Sequence, residues 1–163
     1  MDFRTATSRK LDEEHRDSLA LLGRFERGVL GVAVGSAPDD GFALLAKQVA
    51  RAVAGEVDRH FRFEEEQLFP RLAAGGEGDL ADLLLDEHKS IRATAADLLP
   101  PLLAASTGRL DAAQFAALKP VALEFVERLE AHIHKETSAL LPAVDLVLDD
   151  EVDHDIALTY AES

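Results

Sequence analysis

His60 and Glu64 stand four residues apart, and so do His132 and Glu136. On a helix that spacing sets both members of a pair on one face, one turn apart. Imidazole and carboxylate directed at a common point are ligands for Fe, Mn, Zn and related ions. Two further histidines, His15 and His88, each fall upstream of one of these pairs. The chain has no cysteine. Disulfides, thiolate metal sites, iron–sulfur ligation and thiol catalysis are therefore excluded, and any metal must be held by His, carboxylate, carbonyl or water.

All six residues lie on stripes that are otherwise apolar. His15 belongs with Leu11, Leu19 and Leu22; His60 and Glu64 with Val53, Val57 and Leu68; His88 with Leu84 and Ile91; His132 and Glu136 with Phe125, Leu129 and Leu140. An unpaired polar side chain is costly on such a face, and a buried carboxylate needs a cation or a dense set of donors. Lys and Arg are missing from these stripes near the His and Glu positions. Bundle cores are a known location for carboxylate-bridged di-metal sites, and such a site gives all six residues a common partner.

The elements that carry them read as helices. Thr7 or Ser8 caps the first, which continues through Phe25 and Val29 to a loop containing Gly35, Ser36 and Pro38. Phe42 opens a long second helix, kinked or ended by Pro70 before the breaker Gly75-Gly76-Glu77-Gly78. Asp79 caps a third, disturbed at Pro100-Pro101 and finished near Ser106 to Gly108. Asp111 starts a fourth, with Pro120 near its start and Pro142 at its end. The acidic tail carries Asp149-Asp150-Glu151, a cap for a short extra helix. No β-type alternation is sustained over a strand length. The expected fold is all-α: one domain over 1–163, an up-down-up-down four-helix bundle with a short C-terminal extension. In a simple bundle the first and third helices are then diagonal, as are the second and fourth.

The chain also repeats itself. His60, Glu64 and Pro70 recur as His132, Glu136 and Pro142 at an offset of 72, and Leu11 to His15 resembles Leu85 to His88 at an offset of 73. Two helical hairpins of one plan, about 8–74 and 79–143 with a tail over 144–163, place four His and two Glu around a pseudo-two-fold axis.

Other polar residues receive blander readings. Glu56, one turn before His60, either orients a ligand histidine or pairs with Arg59 or Arg62 in solvent. Glu65 and Glu66 turn away from the stripe and read as solvated; Glu13, Glu14, Asp86 and Glu87 read as surface charge. His134 points away from His132, and His154 lacks a periodic stripe. Tyr160 is the only tyrosine, in a tail whose position the sequence leaves open. Phe61, Phe63 and Phe69 pack around the site and limit water there.

The string His60-Phe61-x-x-Glu64-Glu65-x-x-Leu68-Phe69-Pro70, with its second copy and a histidine on each preceding helix, resembles hemerythrin-like (HHE cation-binding) domains from about Leu11 to Pro142. The resemblance implies a non-haem di-iron centre held by His15, His60, Glu64, His88, His132 and Glu136. It implies that Glu64 and Glu136 bridge the two irons, with an oxo or hydroxo group between them. Oxygen carriers of the family have a fifth histidine and a His-x-x-x-x-Asp spacing. Here Leu84 and Arg92 flank His88 at one turn, and the fourth helix carries His132-x-x-x-Glu136. The pattern is closer to the bacterial four-His, two-Glu type, some members of which are associated with repairing nitric-oxide damage to iron–sulfur clusters. Two N and two O donors per metal, plus the bridging group, leave an open position on a six-coordinate iron.

The net charge of −14 argues against binding a nucleic-acid backbone. No apolar run approaches the roughly 20 residues that span a bilayer, and no apolar h-region follows Met1, so a cytoplasmic protein is the expectation. No Ser/His/Asp triad, phosphate loop or nucleotide fingerprint is present. The expected function is a di-iron protein binding or reacting with O2, NO or peroxide in stress response or sensing. Whether it turns over as a peroxide- or NO-handling enzyme stays open. A non-catalytic O2 or iron storage, delivery or sensing module is the alternative, and a metal-free helical interaction protein a further one. Mn or Zn is chemically compatible with the same ligands.

Overall fold

The structure, a computed structural model, describes residues 2–162. Among these, five helices account for the fold and no strand occurs. Helix α1 is Ala6–Gly31. Helix α2 runs over 40–74, its α-helical parts Asp40–Arg51, Asp58–Phe63 and Phe69–Ala74 joined by π-helical turns at Ala52–Val57 and Glu64–Leu68. Helix α3 is Gly78–Ser106. Helix α4 runs over 112–147, from Ala112–Lys135 through a π-helical turn at Glu136–Leu140 to Leu141–Val147. Helix α5 is Asp150–Glu162. Helices α1 and α3 each pack against both α2 and α4, the neighbour pattern of an up-down-up-down bundle, and α5 lies against α1. No described helix is long and apolar enough to cross a membrane.

The caps are partly where the sequence puts them. Asp111 and Gln114 form a reciprocal capping box at the start of α4. The Asp149 side chain accepts from Val152 N–H and caps α5. Two assignments are corrected. Thr5, not Thr7 or Ser8, caps α1, accepting from Ser8 N–H at 3.1 Å. The next two N–H groups, of Ala6 and Thr7, donate to Asp153 on α5 at 2.7 and 2.9 Å, so the tail completes the N-terminus of α1. Asp79 lies inside the first turn of α3, whose cap position is Glu77 without a side-chain bond.

Pro70 and Pro142 do not end their helices. A proline lacks the N–H for an i−4 bond and its ring crowds the i−4 carbonyl. The turn before each proline is widened instead: Phe69 N–H bonds Glu64 C=O, and Leu141 N–H bonds Glu136 C=O, both five residues back. The wider turn accommodates the ring and the helix continues. Both π turns begin at the two stripe glutamates, so the proline shapes the backbone that aims each carboxylate. Pro100, Pro101 and Pro120 also stand within continuous helices.

The buried apolar side chains form two clusters. One gathers Leu22, Phe25, Val29, Phe42, Phe61, Phe125 and their neighbours. The other gathers Leu11, Phe63, Leu68, Leu84, Leu140, Tyr160 and theirs. Along each bundle helix the His or Glu lies between a residue of one cluster and a residue of the other. The six polar side chains therefore form a layer across the bundle, sealed above and below by hydrocarbon. Gly75 lets α2 and α4 close together at one end, because a Cβ there would meet Val147 Cγ1 at 2.7 Å.

Candidate metal centre

All six residues singled out by spacing converge in that layer. Glu64, His88 and Glu136 are 0% exposed, and His15, His60 and His132 are buried. Their donor atoms form two overlapping groups: His15, His60, Glu64 and Glu136, and Glu64, His88, His132 and Glu136. Within each group these atoms lie within 4.8 Å of one another.

The two carboxylates divide their oxygens between the groups. Glu136 Oε2 is 3.0 Å from His15 Nε2, while its Oε1 is 2.7 Å from His132 Nε2 and 3.5 Å from His88 Nε2. Glu64 Oε1 is 3.2 Å from His60 Nε2, and its Oε2 is 3.3 Å from His88 Nε2. All four histidines thus present Nε2 to the layer, and each carboxylate faces both groups. Among the described residues, both Glu64 oxygens, Glu136 Oε2 and His132 Nε2 are buried without a hydrogen-bond partner. Four orphaned polar atoms in one apolar layer carry a large desolvation penalty that a cation between them removes. The donor set, imidazole nitrogen and carboxylate oxygen without sulfur, suits iron and comparable ions.

The outward nitrogens are held by a ring of contacts that runs around the bundle. Glu14 on α1 takes His60 Nδ1 of α2 at 2.9 Å. Glu65 on α2 takes His88 Nδ1 of α3 at 2.7 Å. Glu87 on α3 takes His132 Nδ1 of α4 at 2.8 Å. Thr137 on α4 meets His15 Nδ1 of α1 at 2.9 Å and closes the ring. An ionised carboxylate only accepts, so His60, His88 and His132 carry hydrogen on Nδ1 and direct Nε2 inward. The Thr137 hydroxyl both donates and accepts and imposes no such choice on His15.

Each holding residue is adjacent in sequence to a donor of its own helix. Glu14 precedes His15, Glu65 follows Glu64, Glu87 precedes His88 and Thr137 follows Glu136. Reading Glu14, Glu65 and Glu87 as solvated surface charge is therefore corrected: a residue that turns away from its own stripe faces the neighbouring helix. Glu66 is exposed as expected, and so are His134 and His154. Glu56 is exposed and lies in the wall of a cavity; Glu14 takes the histidine contact considered for it.

Cations and the tail support the ring from outside. Arg92 pairs with Glu65 at 2.6 Å, which accounts for an arginine one turn after His88. Lys135 pairs with Glu87, and Arg59 with Glu14 at 3.0 Å. Tyr160 Oη donates to Glu14 Oε2. Burial raises the affinity of Glu14, Glu65 and Glu87 for protons, but hydrogen bonds from these partners and the histidines outweigh it and hold all three below the usual carboxylate range. Burial pulls His60 and His88 down, while the Glu64 and Glu136 carboxylates pull harder the other way; His60 is pushed up to about 10 and His88 to about 9. Burial alone would raise Glu136, yet the facing histidines hold it well below the normal range.

The two sides of the layer differ in access. On the His88 side, Phe61 lies parallel to the imidazole with ring centroids 3.7 Å apart, and Phe69 is 5.4 Å away. On the other side a cavity of about 290 Å³ reaches His15, His60 and Glu136, with Lys10, Asp17 and Glu56 in its wall.

A family model for the hemerythrin HHE cation binding domain matches residues 6–144. The chain belongs to the hemerythrin HHE cation-binding domain family. No curated protein matches it. The match to this hemerythrin-like family covers all six donors and their four holding residues. It ends before α5, so Asp153 and Tyr160 lie beyond the matched span. Family and buried His/Glu cluster agree on metal binding.

Proposed function

We propose that this hemerythrin-like chain binds two non-haem irons and that the pair binds or reacts with a small oxidant or diatomic molecule: O2, NO or peroxide. His15 and His60 would hold one iron and His88 and His132 the other, with Glu64 and Glu136 shared between them. Bound there, iron supplies reversible ligand binding and one-electron redox chemistry that no side chain of this chain provides. The protein fixes each imidazole through its Nδ1 contact, excludes water from the His88 side with Phe61, and admits small molecules from the His15 side.

The observation that carries this reading is the split of both carboxylates. Each of Glu64 and Glu136 sends one oxygen toward each histidine pair, the arrangement two shared ions require. Four histidines also leave fewer protein donors than six-coordinate iron seeks, which favours reaction or sensing over a purely structural metal. A bound bridging oxo or hydroxo group belongs to the same reading, as does a role in oxidative or nitrosative stress.

Metal analysis of protein expressed with iron supplied is expected to give two irons per chain and, when oxidised, the charge-transfer bands of an oxo-bridged ferric pair. Stopped-flow mixing of the reduced protein with O2, NO and peroxide in turn is expected to change the spectrum with at least one of them. Product formation would then separate turnover from reversible binding. A metal-free chain, or a loaded chain inert to all three, overturns the proposal.

A further inference from the structure

Helix α5 lies outside the span that matches the family, yet it reaches the ring that holds the histidines. Tyr160 is 3% exposed. Its ring stacks on Phe63 at 4.2 Å, and the Arg59 guanidinium sits over it at 4.8 Å. Its hydroxyl donates to Glu14 Oε2, the same oxygen that accepts from His60 Nδ1. Arg59 occupies the other oxygen, Glu14 Oε1. Glu14 is therefore held by three donors from two helices, with its carboxylate plane set toward His60. Burial and the neighbouring Glu14 carboxylate push the Tyr160 phenol up, so the hydroxyl remains a donor throughout the physiological range.

The pseudo-symmetric position does not have this device. Glu87 holds His132 as Glu14 holds His60, but its supporting partner is the lysine Lys135 from α4 itself. The tyrosine thus acts on one half of the centre.

We infer that Tyr160 is a positioning residue for the His15/His60 metal position, acting through Glu14 on His60, and that helix α5 exists in part to deliver it. This rests on the two-metal reading given above. Partners that orient a ligand imidazole contribute to metal affinity and to the metal's electronic environment without touching the metal. Removing the hydroxyl frees one of the three restraints on Glu14 and loosens His60. The His88/His132 position has its own partners and is left alone.

Tyr160→Phe is the test, because phenylalanine keeps the stack on Phe63 and the contact with Arg59. Anaerobic titration with ferrous iron is expected to show one of the two equivalents weakened by up to about tenfold, the lower edge of what loss of a direct ligand partner costs. The other equivalent is expected to match wild type, and the thermal midpoint of the metal-free protein to fall modestly, since one charge-assisted hydrogen bond is lost. Mössbauer spectra of the protein loaded with 57Fe are expected to shift for one iron only. In a Glu14→Gln background the same tyrosine substitution is expected to add little, since Tyr160 acts through that carboxylate. Unchanged affinities and spectra overturn the inference, and so does equal weakening of both irons, which marks a structural role. If wild type itself takes up fewer than two irons, the two-metal reading has failed; two irons in wild type with an unaltered Tyr160→Phe removes the tyrosine's role alone.

Discussion

Phe61 lies flat on His88, with ring centroids 3.7 Å apart and planes 6° from parallel. It is 2% exposed and bears Arg92 on its surface, the guanidinium 5.4 Å from its centroid. One aromatic ring thus closes the His88 side of the layer while belonging to the apolar cluster beside it. Phe61→Ala is expected to cost about 3–5 kcal/mol of unfolding free energy in urea. It is also expected to speed removal of one metal by a chelator, since the substitution opens a second route to the layer. Chelation kinetics identical to wild type would contradict the sealing role.

Glu136 faces both histidine pairs, whereas His132 serves one. Glu136→Ala is expected to weaken both irons, and His132→Ala one of them. Glu64→Ala and His60→Ala form the matching comparison in the other half. Metal-to-protein ratios after equilibrium dialysis report the difference, and two firmly held irons in any of these variants would refute the ligand assignment.

The holding ring is acidic at three positions and neutral at Thr137. A carboxylate raises the donor strength of its imidazole and fixes the tautomer. Glu65→Gln and Glu87→Gln are each expected to lower the affinity for one iron by about 10–100-fold. Thr137→Val, which removes a neutral partner, is expected to cost less. Iron titration of the three variants ranks them.

In the metal-free protein, stability depends on pH with a definite sign. His60 and His88 have folded values of about 10 and 9, above the ordinary 6.5. Folding then binds protons, so their contribution is whole below pH 6.5 and is lost as pH rises through 9 to 10. Glu136 lies well below 4.5, so its contribution is present above pH 4.5 and is lost as pH falls through its lowered value. The thermal midpoint is expected to be highest between about 4.5 and 6.5 and to fall toward pH 10. Iron needs neutral histidine, so the midpoint gain on loading is expected to grow with pH over the same range. Calorimetry of free and loaded protein across pH measures both, and a flat midpoint from pH 6 to 10 in the metal-free form contradicts the account.

Asp153 ties α5 to the start of α1 by accepting from Ala6 and Thr7 N–H. Asp153→Ala is expected to cost about 0.5–2 kcal/mol, the usual loss at a helix N-terminus. It is also expected to weaken one iron as Tyr160→Phe does, because it loosens the helix that carries Tyr160. Urea unfolding and iron titration test the two effects separately.

The sequence by itself determined the bundle and the six His and Glu side chains that meet in its buried layer. His and Glu at four-residue spacing on stripes of Leu, Val and Phe have one face available, and burying that face brings them to one layer. The repeat at offsets of 72 and 73 extended this to two equivalent halves. Periodicity does not show that a turn can widen by one residue to accept a proline ring, so Pro142 reads from sequence as a helix end and Pro70 as a kink or an end, whereas both helices continue. Only the tertiary structure decided what holds the donors. Glu14, Glu65, Glu87 and Thr137 each sit about 100° around the helix from the donor beside them, a direction that along one helix reads as solvent. That direction meets a histidine only because the next helix lies there, and the packing of neighbouring helices is not written in either stripe alone. The same holds for Tyr160, 146 residues from Glu14 in sequence. A tail helix carries its side chain to the centre through the contacts that dock it, Asp150 with Arg4, Asp153 with Ala6 and Thr7 N–H, and Ile156 and Tyr160 in the apolar cluster.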